Sequence, residues 1–141
     1  MVMGINFITT ESEFLKAKEL WQKTGIENPV RGDTFDILQS TIKFNGVLLG
    51  LYENDLLLGT AWLTDDGRRL YLHHMAIEPS YQGKGLSNIL MHEIIKIAKE
   101  RKRQIKLEVG INNTKAISLY KKYDFDELGN YKVLINRKTD K

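Results

Sequence analysis

A lysine between two glycines, Gly83-Lys84-Gly85, stands between a short apolar run and an amphipathic segment with helical periodicity. The first amides of a helix have no partner inside the helix and carry a partial positive charge. Because glycine has no side chain, an anion can approach such amides closely, and phosphate groups bind at helix starts of this kind. The order strand, glycines, helix therefore predicts a phosphate-binding loop, in which Lys84 either adds charge or points into water.

Two well-known phosphate motifs do not fit this loop. The dinucleotide fingerprint G-x-G-x-x-G requires a third glycine at position 88, which is Asn88, and the P-loop consensus G-x-x-x-x-G-K-[ST] is absent. A glycine-rich turn that only starts a helix would have the same composition. The glycines alone leave both interpretations open.

The elements that must position this loop follow from hydrophobic periodicity and turn residues. The pattern predicts strands at 5–9, 46–52, 56–64, 70–77 and 104–109, and a last hairpin of 125–128 and 131–136 around Gly129-Asn130. It predicts helices over 11–23, from an N-cap at Asp33 through Ile42, over 84–102 and over 113–122. The order is β-α-α-β-β-β-α-β-α-β-β, a mixed α/β sheet in a single domain, residues 1–141. The crossover helix predicts that strands 70–77 and 104–109 are parallel, with a right-handed connection.

Length, charge and cysteine content exclude several function classes. The chain has 141 residues, a net charge of +3 and no cysteine. Disulfides, thiolate metal sites and a cysteine nucleophile are therefore excluded. The modest positive charge suits an acidic small molecule and does not by itself indicate nucleic-acid binding. No apolar stretch has the length of a membrane span and no signal peptide is visible, so we expect a soluble cytoplasmic protein.

One apparent metal motif is incomplete. The segment "HEIIK" (92–96) is similar to the zinc signature H-E-x-x-H, but Lys96 stands where the second histidine must be. We therefore predict no metal site.

Two motifs at a suitable separation show that the chain resembles the GNAT superfamily of N-acetyltransferases. The first, [R/Q]-x-x-G-x-[G/A], is matched by Gln82 and Gly85, with Ser87 at the last position. The second, N-x-x-A-x-x-L-Y-x-x-x-G-F, has Asp124 in place of glycine and is matched by Asn113, Ala116, Leu119, Tyr120 and Phe125. The resemblance covers about residues 70–136, and the order of elements is also that of the family.

The resemblance implies acetyl-coenzyme A as the cofactor, with a splay between strands 70–77 and 104–109 that admits its pantetheine arm. Backbone groups of Met75, Ala76 and Ile77 would line this splay, and an amide near Met75 would stabilise an oxyanion. The residues implied in contacts to the pyrophosphate are Gln82, Gly83, Lys84, Gly85, Leu86 and Ser87. Those implied by the second motif are Asn113, Ala116 and Tyr120.

The implied reaction is direct attack of a primary amine on the thioester, with Tyr120 as the general acid for the leaving thiolate. The absence of cysteine agrees with a one-step transfer. For Tyr120, the alternative is an ordinary aromatic residue at the edge of the core. The alternative function, from another class, is a catalytically silent acyl-coenzyme A-binding or sensor module.

The base for the amine is the second catalytic candidate. The family pattern favours His73, four residues before Ile77. In a regular strand His73 shares a face with Tyr71, Met75 and Ile77, whereas His74 faces the opposite side, and a bulge would change these faces. Either histidine has a structural alternative as a half-buried strand residue.

The acceptor is a small-molecule or peptide amine that the sequence does not specify. In the family it is chosen by the first two helices, the loop between them and the last hairpin. The candidates for contact with it are Trp21, Arg31, Asp33, Tyr71 and Tyr131. Neither a nucleic acid nor a membrane is expected as a partner, and a homodimer is an open expectation because many relatives are dimers.

Overall fold

The structure is a computed structural model that describes residues 3–26 and 32–140. The chain forms two compact units, residues 1–108 and 109–141. The first contains β1 (Met3–Phe7), α1 (Glu11–Lys23), α2 (Phe35–Lys43), β2 (Val47–Glu53), β3 (Leu56–Asp65), β4 (Arg69–Ile77), α3 (Leu86–Arg101) and β5 (Gln104–Leu107). The second contains α4 (Thr114–Lys122).

The five strands form one sheet in the order β1-β2-β3-β4-β5. The first three pairings are antiparallel and β4 with β5 is parallel, which confirms the predicted mixed, mostly antiparallel α/β fold. The parallel ladder ends where Leu72 lies opposite Leu107, and β4 continues to Ile77. The described pairing therefore stops halfway along β4, as a splay between the two strands requires.

Helices α1 and α2 cover one face of the sheet. Trp62 of β3 stacks on Trp21 of α1 with ring centroids 5.7 Å apart. The Trp62 indole Nε1–H also donates to Thr41 Oγ1 of α2, at 3.1 Å. Apolar residues recur on α1 at helical spacing, so burial of that stripe explains why it packs here.

Helix α3 covers the opposite face. An added Cβ at Gly59 of β3 would lie 2.9 Å from Ile77 and 3.2 Å from Leu90 of α3, so the sheet and helix approach too closely there for a larger residue. Within residues 3–26 and 32–140, no helix combines the length and apolarity that a bilayer crossing requires.

Two details of the predicted elements are wrong. The N-cap of α2 is Thr34, whose Oγ1 accepts from the Ile37 amide at 3.2 Å, and not Asp33. The turn at Gly129-Asn130 is present, with φ +69° at Asn130, but the flanking segments 125–128 and 131–136 are not strands in the described chain. A strand exists only where its backbone pairs with a partner, and an alternating pattern cannot supply that partner.

The end of β3 is tied to the end of α3 by one buried carboxylate. Asp65 accepts from Arg101 at 3.1 Å, from Arg103 at 3.4 Å and from the Gly67 amide at 2.8 Å, and its side chain is only 5% exposed. Burial alone would raise the pKa of Asp65. The Gly67 amide and the two guanidinium groups outweigh that effect and lower the pKa below its ordinary value.

Replacing Asp65→Asn should lower the free energy of unfolding at pH 7 by about 1–3 kcal/mol, because two part-buried arginine contacts lose their charged acceptor. The lowered folded-state pKa means that this contribution is present above the unfolded-state pKa, about 3.9, and is lost as the pH falls through the folded-state pKa. Urea unfolding of both proteins between pH 7 and pH 3 measures the difference, which should shrink with acidification.

Asp55→Asn in the exposed β2–β3 turn is the matched control and should change stability little at any pH. A difference between Asp65→Asn and the parent that is as large at pH 3 as at pH 7 would contradict the role given to the Asp65 carboxylate.

Candidate active site

The loop between β4 and α3 contains two glycines in the left-handed region. Gly83 has φ +80° and Gly85 has φ +79°. An added Cβ at Gly83 would meet no atom within 4 Å, and one at Gly85 would meet only the Asn88 side chain, at 3.7 Å. The requirement for glycine is therefore conformational, because other residues adopt this region at a cost.

The start of α3 is open toward solvent. Gly85 is its N-cap, and no described side chain caps this end. Asn88 donates back to the Gly85 carbonyl from its backbone amide at 3.2 Å and from its side-chain amide at 3.3 Å. The first amides of α3 thus lie at the positive end of the helix dipole without a capping side chain. This arrangement fits an anion.

Gln82 and Lys84 hold the shape of this loop. The Gln82 amide donates to the carbonyl of Ile77 at 3.0 Å, so the loop is braced against the last residue of β4. The Lys84 ammonium lies 5.0 Å from the centroid of the Tyr81 ring, a cation–π contact. The Lys84 side chain is exposed to water, as one of the two alternatives for it expected, and it also contacts the Tyr81 ring.

A bulge interrupts β4 at its two histidines. His73 lies opposite Trp62 and Ala76 lies opposite Thr60, so β4 has one more residue than β3 in this interval. His74 adopts φ +49°, in the left-handed region. This extra residue shifts the alternation of side chains beyond it by one position.

The faces expected for a regular strand, with His73 and His74 on opposite sides of the sheet, are therefore wrong. Both imidazoles lie on the α1–α2 side of the sheet: His73 beside Thr64, and His74 against Trp21. Ile77, which a regular strand would place with His73, lies on the α3 side instead. The bulge, which the sequence analysis named as a possibility, determines these faces.

His73 belongs to a polar cluster along β4 and β5. Its Nε2 lies 3.0 Å from Thr64 Oγ1, and its ring stacks on Tyr71 with centroids 5.3 Å apart. The Tyr71 hydroxyl donates to Glu108 Oε1 at 3.5 Å. Burial and then the Glu108 carboxylate raise the pKa of Tyr71, so it stays protonated at neutral pH. Sequence reasoning missed Glu108, although a carboxylate just after the end of β5, where the ladder stops, was a usable signal.

His74 has a different partner. Its Nε2 lies 2.6 Å from Asp33 Oδ2, and the two side chains are 8% and 14% exposed. Because an ionised carboxylate can only accept, the Nε2 atom carries the hydrogen. The His74 ring also meets the edges of Trp21 and Trp62, at 4.6 and 5.5 Å between centroids. Asp33 is thus the hydrogen-bond partner of the His74 imidazole. Its position before a helix indicated a helix cap instead.

The candidates for acceptor contact are spread over the chain. Trp21 is fully buried and donates from Nε1 to Thr60 Oγ1 at 2.8 Å, which speaks against direct contact with an acceptor. Tyr71 is half-buried beside His73. Arg31 lies outside the described residues. Tyr131, in the second unit, is 79% exposed.

In the second unit, Asn113 and Tyr120 lie on or beside α4. Asn113 is the N-cap: its Oδ1 accepts from the Ala116 amide at 3.2 Å, so this residue holds local backbone. Tyr120 is half-buried, and burial raises the pKa of its hydroxyl. A phenol with a raised pKa stays protonated at neutral pH and keeps a proton to donate. Among the described residues, no group of three metal-ligating side chains is close enough to hold a metal ion.

At the end of α4, Asp124, which stands where the family motif has glycine, adopts a left-handed conformation with φ +68°. The Asp124 amide donates to the Lys121 carbonyl and the Phe125 amide to the Tyr120 carbonyl, both at 3.1 Å. This is the hydrogen-bond pattern of a Schellman motif. The Tyr120 and Phe125 rings are in contact, with centroids 5.7 Å apart, so the motif also fixes the position of Tyr120 on its helix.

A family comparison places these features in a known class. The model of the acetyltransferase (GNAT) family matches residues 10–125, and the chain belongs to this family. The resemblance stated from the two motifs is confirmed.

Individual proteins support the same class. The N-alpha-acetyltransferase RimI of Mycobacterium tuberculosis is 29% identical over 85 residues, which are 57% of this chain and 52% of that protein. The chain spans about half or less of the length of the curated relatives it matches.

Two solved structures share the fold. The ribosomal-protein-S18-alanine N-acetyltransferase of Escherichia coli has a TM-score of 0.76 at 21% identity, over 89% of this chain and 79% of that one. A predicted acetyltransferase of Clostridium acetobutylicum, solved with acetyl-CoA, has a TM-score of 0.76 at 20% identity, over 95% and 96% of the two chains.

Replacing Asp124→Gly should stabilise the end of α4, because glycine adopts the left-handed conformation without the cost that aspartate has there, about 1 kcal/mol. Hydrogen exchange of the last-turn amides should slow about fivefold, which is what that energy corresponds to. Asp126→Gly, two residues beyond, is the matched control and should not slow exchange in α4. Unchanged or faster exchange in Asp124→Gly would contradict the assigned motif.

Proposed function

We propose that this chain transfers an acetyl group directly from acetyl-coenzyme A to a primary amine. The observation that carries the proposal is the open start of α3, with two left-handed glycines in the loop directly before it. Membership of the GNAT family and the neighbour solved with acetyl-CoA support the same cofactor.

Acetyl-coenzyme A would supply an activated acetyl thioester together with a diphosphate. The residues proposed to hold the diphosphate are the loop and the first turn of α3, Gln82 through Ser87. Among these, Gln82 acts through its brace to the Ile77 carbonyl. The backbone of Met75, Ala76 and Ile77 is proposed to line the pantetheine arm, since β4 has no described ladder to β5 beyond Leu72. Ala116 and Asn113 keep their proposed contacts from the second motif, although Asn113 Oδ1 also caps α4.

The proposed chemistry needs three actions from the chain. His73 accepts a proton from the ammonium form of the acceptor, because only the neutral amine has a lone pair for attack. An amide near Met75 donates to the carbonyl oxygen that gains negative charge. Tyr120 donates its hydroxyl proton to the departing sulfur, which its raised pKa keeps available at neutral pH. The amine nitrogen forms its bond to the acetyl carbon as the carbon–sulfur bond breaks. The nitrogen then releases its extra proton to solvent, and the Tyr120 phenolate regains a proton from solvent, so the protons balance.

The acceptor is proposed only as a class. Beside His73, the Tyr71 hydroxyl and the Glu108 carboxylate form a polar surface whose carboxylate can accept from an ammonium group, while the Lys106 ammonium lies 5.9 Å from the Tyr71 ring centroid. Of two similar proteins, one is named as an N-alpha-acetyltransferase and the other as a ribosomal-protein-S18-alanine N-acetyltransferase. A test panel should therefore contain peptides with free N-termini, including an alanine peptide, beside polyamines and amino acids.

The direct test is thiol release from acetyl-coenzyme A on this panel. Because the chain has no cysteine, a thiol reagent detects only the coenzyme product. Turnover on any primary amine, with an acetylated product by mass spectrometry, would establish the activity. Tight binding of acetyl-coenzyme A without turnover on the whole panel would favour the silent binding module instead.

Replacing Gly85→Ala should weaken acetyl-coenzyme A binding about tenfold or more, measured by isothermal titration calorimetry. Alanine is strained at φ +79°, so the first amides of α3 would turn away from their present direction. Gly67→Ala in the β3–β4 turn, at φ +86°, is the matched control for the strain alone. If both variants bind as the parent does, the helix start is not the binding site.

Replacing Tyr120→Phe should lower kcat about 100-fold while the affinity for acetyl-coenzyme A stays within twofold, because only the proton donor is lost. A general acid works in its protonated form, so a raised pKa predicts no loss of kcat from this group below pH 10. Tyr123→Phe, three residues on, is the matched control. A Tyr120→Phe enzyme as fast as the parent, with chemistry rate-limiting, would refute the assignment.

A further inference from the structure

Three hydrogen bonds link the β4 bulge to helix α1 and to the segment before α2. The Trp21 Nε1–H donates to Thr60 Oγ1 at 2.8 Å, and the Thr60 hydroxyl donates to the backbone carbonyl of His74 at 2.9 Å. His74 Nε2–H in turn donates to Asp33 at 2.6 Å. The chain of contacts runs from α1 through β3 to β4 and on to the segment before α2. We call Trp21, Thr60, His74 and Asp33 the bulge network.

The network lies almost entirely out of water. Trp21 and Thr60 are fully buried, and Thr60 is the one polar residue buried to this degree in the described part of the chain. Hydrogen bonds in such surroundings are strong, and a buried donor or acceptor that loses its partner is costly. A hydroxyl in the middle of an apolar face is therefore best explained by the two bonds that it makes.

The residue that the network holds is in an unfavourable conformation. His74 adopts φ +49°, which non-glycine residues rarely do inside a strand. Thr60 binds its backbone and Asp33 binds its ring, so both parts of His74 are fixed. Without these bonds β4 can return to regular pairing, and a one-residue shift would turn every later side chain and amide to the other face.

We propose that the bulge network is a positioning device for the proposed acetyl transfer. By holding the bulge, it fixes the direction of the Met75–Ile77 backbone, and through Asp33 it ties that backbone to the α2 side of the sheet. The inference rests on the proposed function. These residues do not touch reacting atoms, since Trp21 and Thr60 are fully buried; they act through the backbone of β4.

The first test is a matched pair at Thr60. Thr60→Val keeps the shape and removes the hydroxyl, whereas Thr60→Ser keeps the hydroxyl. We expect Thr60→Val to weaken acetyl-coenzyme A binding at least tenfold, and NMR backbone carbon shifts of His74 to move from left-handed toward strand values. Thr60→Ser should bind within twofold of the parent and keep the left-handed shifts.

The second test is a double-mutant cycle at the less buried end, which avoids damage to the core. Asp33→Asn and His74→Asn should each weaken acetyl-coenzyme A binding about threefold to tenfold. Asparagine at position 74 tolerates the left-handed region but does not reach Asp33. The double variant should bind no more weakly than the worse single variant, because both remove one contact. Asp36→Asn, exposed in the first turn of α2, is the control and should not change binding.

The outcomes separate this inference from the proposed function. If the parent does not bind acetyl-coenzyme A, the proposed function fails, and the His74 shifts alone decide whether the network holds the bulge. Left-handed shifts that persist in Thr60→Val overturn the inference. It is also overturned if the shifts move while binding is unchanged, or if the effects of Asp33→Asn and His74→Asn simply add. Should Thr60→Val not fold, the cycle at Asp33 and His74 decides.

Discussion

The extra residue in β4 determines the arrangement of everything around it. Because strand side chains alternate, one inserted residue moves all later positions to the opposite face of the sheet. Here it leaves His73 and His74 on the same side and places Ile77 against α3. The parallel ladder to β5 ends just before it, at Leu72. Before the bulge β4 pairs with β5, and after the bulge no pairing with β5 is described.

The order of elements in the first unit was predictable because it rests on local rules. Periodicity and turn residues gave all five strands of the sheet and three helices to within a few residues, and the crossover between β4 and β5 required their parallel pairing. The glycine loop was predictable for a similar reason, since a helix start and a left-handed backbone both restrict composition. Neither requires knowledge of which residues meet across the fold.

The contacts that sequence reasoning missed are those with distant partners. Asp33 has the position and residue type of a helix cap, yet Thr34 is the cap and Asp33 binds a histidine 41 residues away. Glu108 has no local pattern and acquires a role only beside Tyr71. The bulge itself has no glycine to mark it, because His74 adopts its conformation under tertiary constraint. Segments 125–128 and 131–136 show the opposite error: the sequence pattern predicted strands, but no partner strand pairs with them in the described chain.

The two halves of the proposed reaction differ in how far sequence can specify them. Recognition of a diphosphate by backbone amides needs only small residues and a helix start, so it leaves a short motif that reads directly from the chain. Recognition of an acceptor depends on side chains that meet across the sheet, and it leaves no motif. The polar surface of Tyr71, His73 and Glu108 is an example: the Tyr71 hydroxyl donates to Glu108, and the Lys106 ammonium lies 5.9 Å from the centroid of the Tyr71 ring. Groups of opposite charge thus meet there from β4, β5 and the segment after β5, and no short stretch of the chain contains them all. The acceptor of the proposed transfer therefore has no motif that can be found along the sequence.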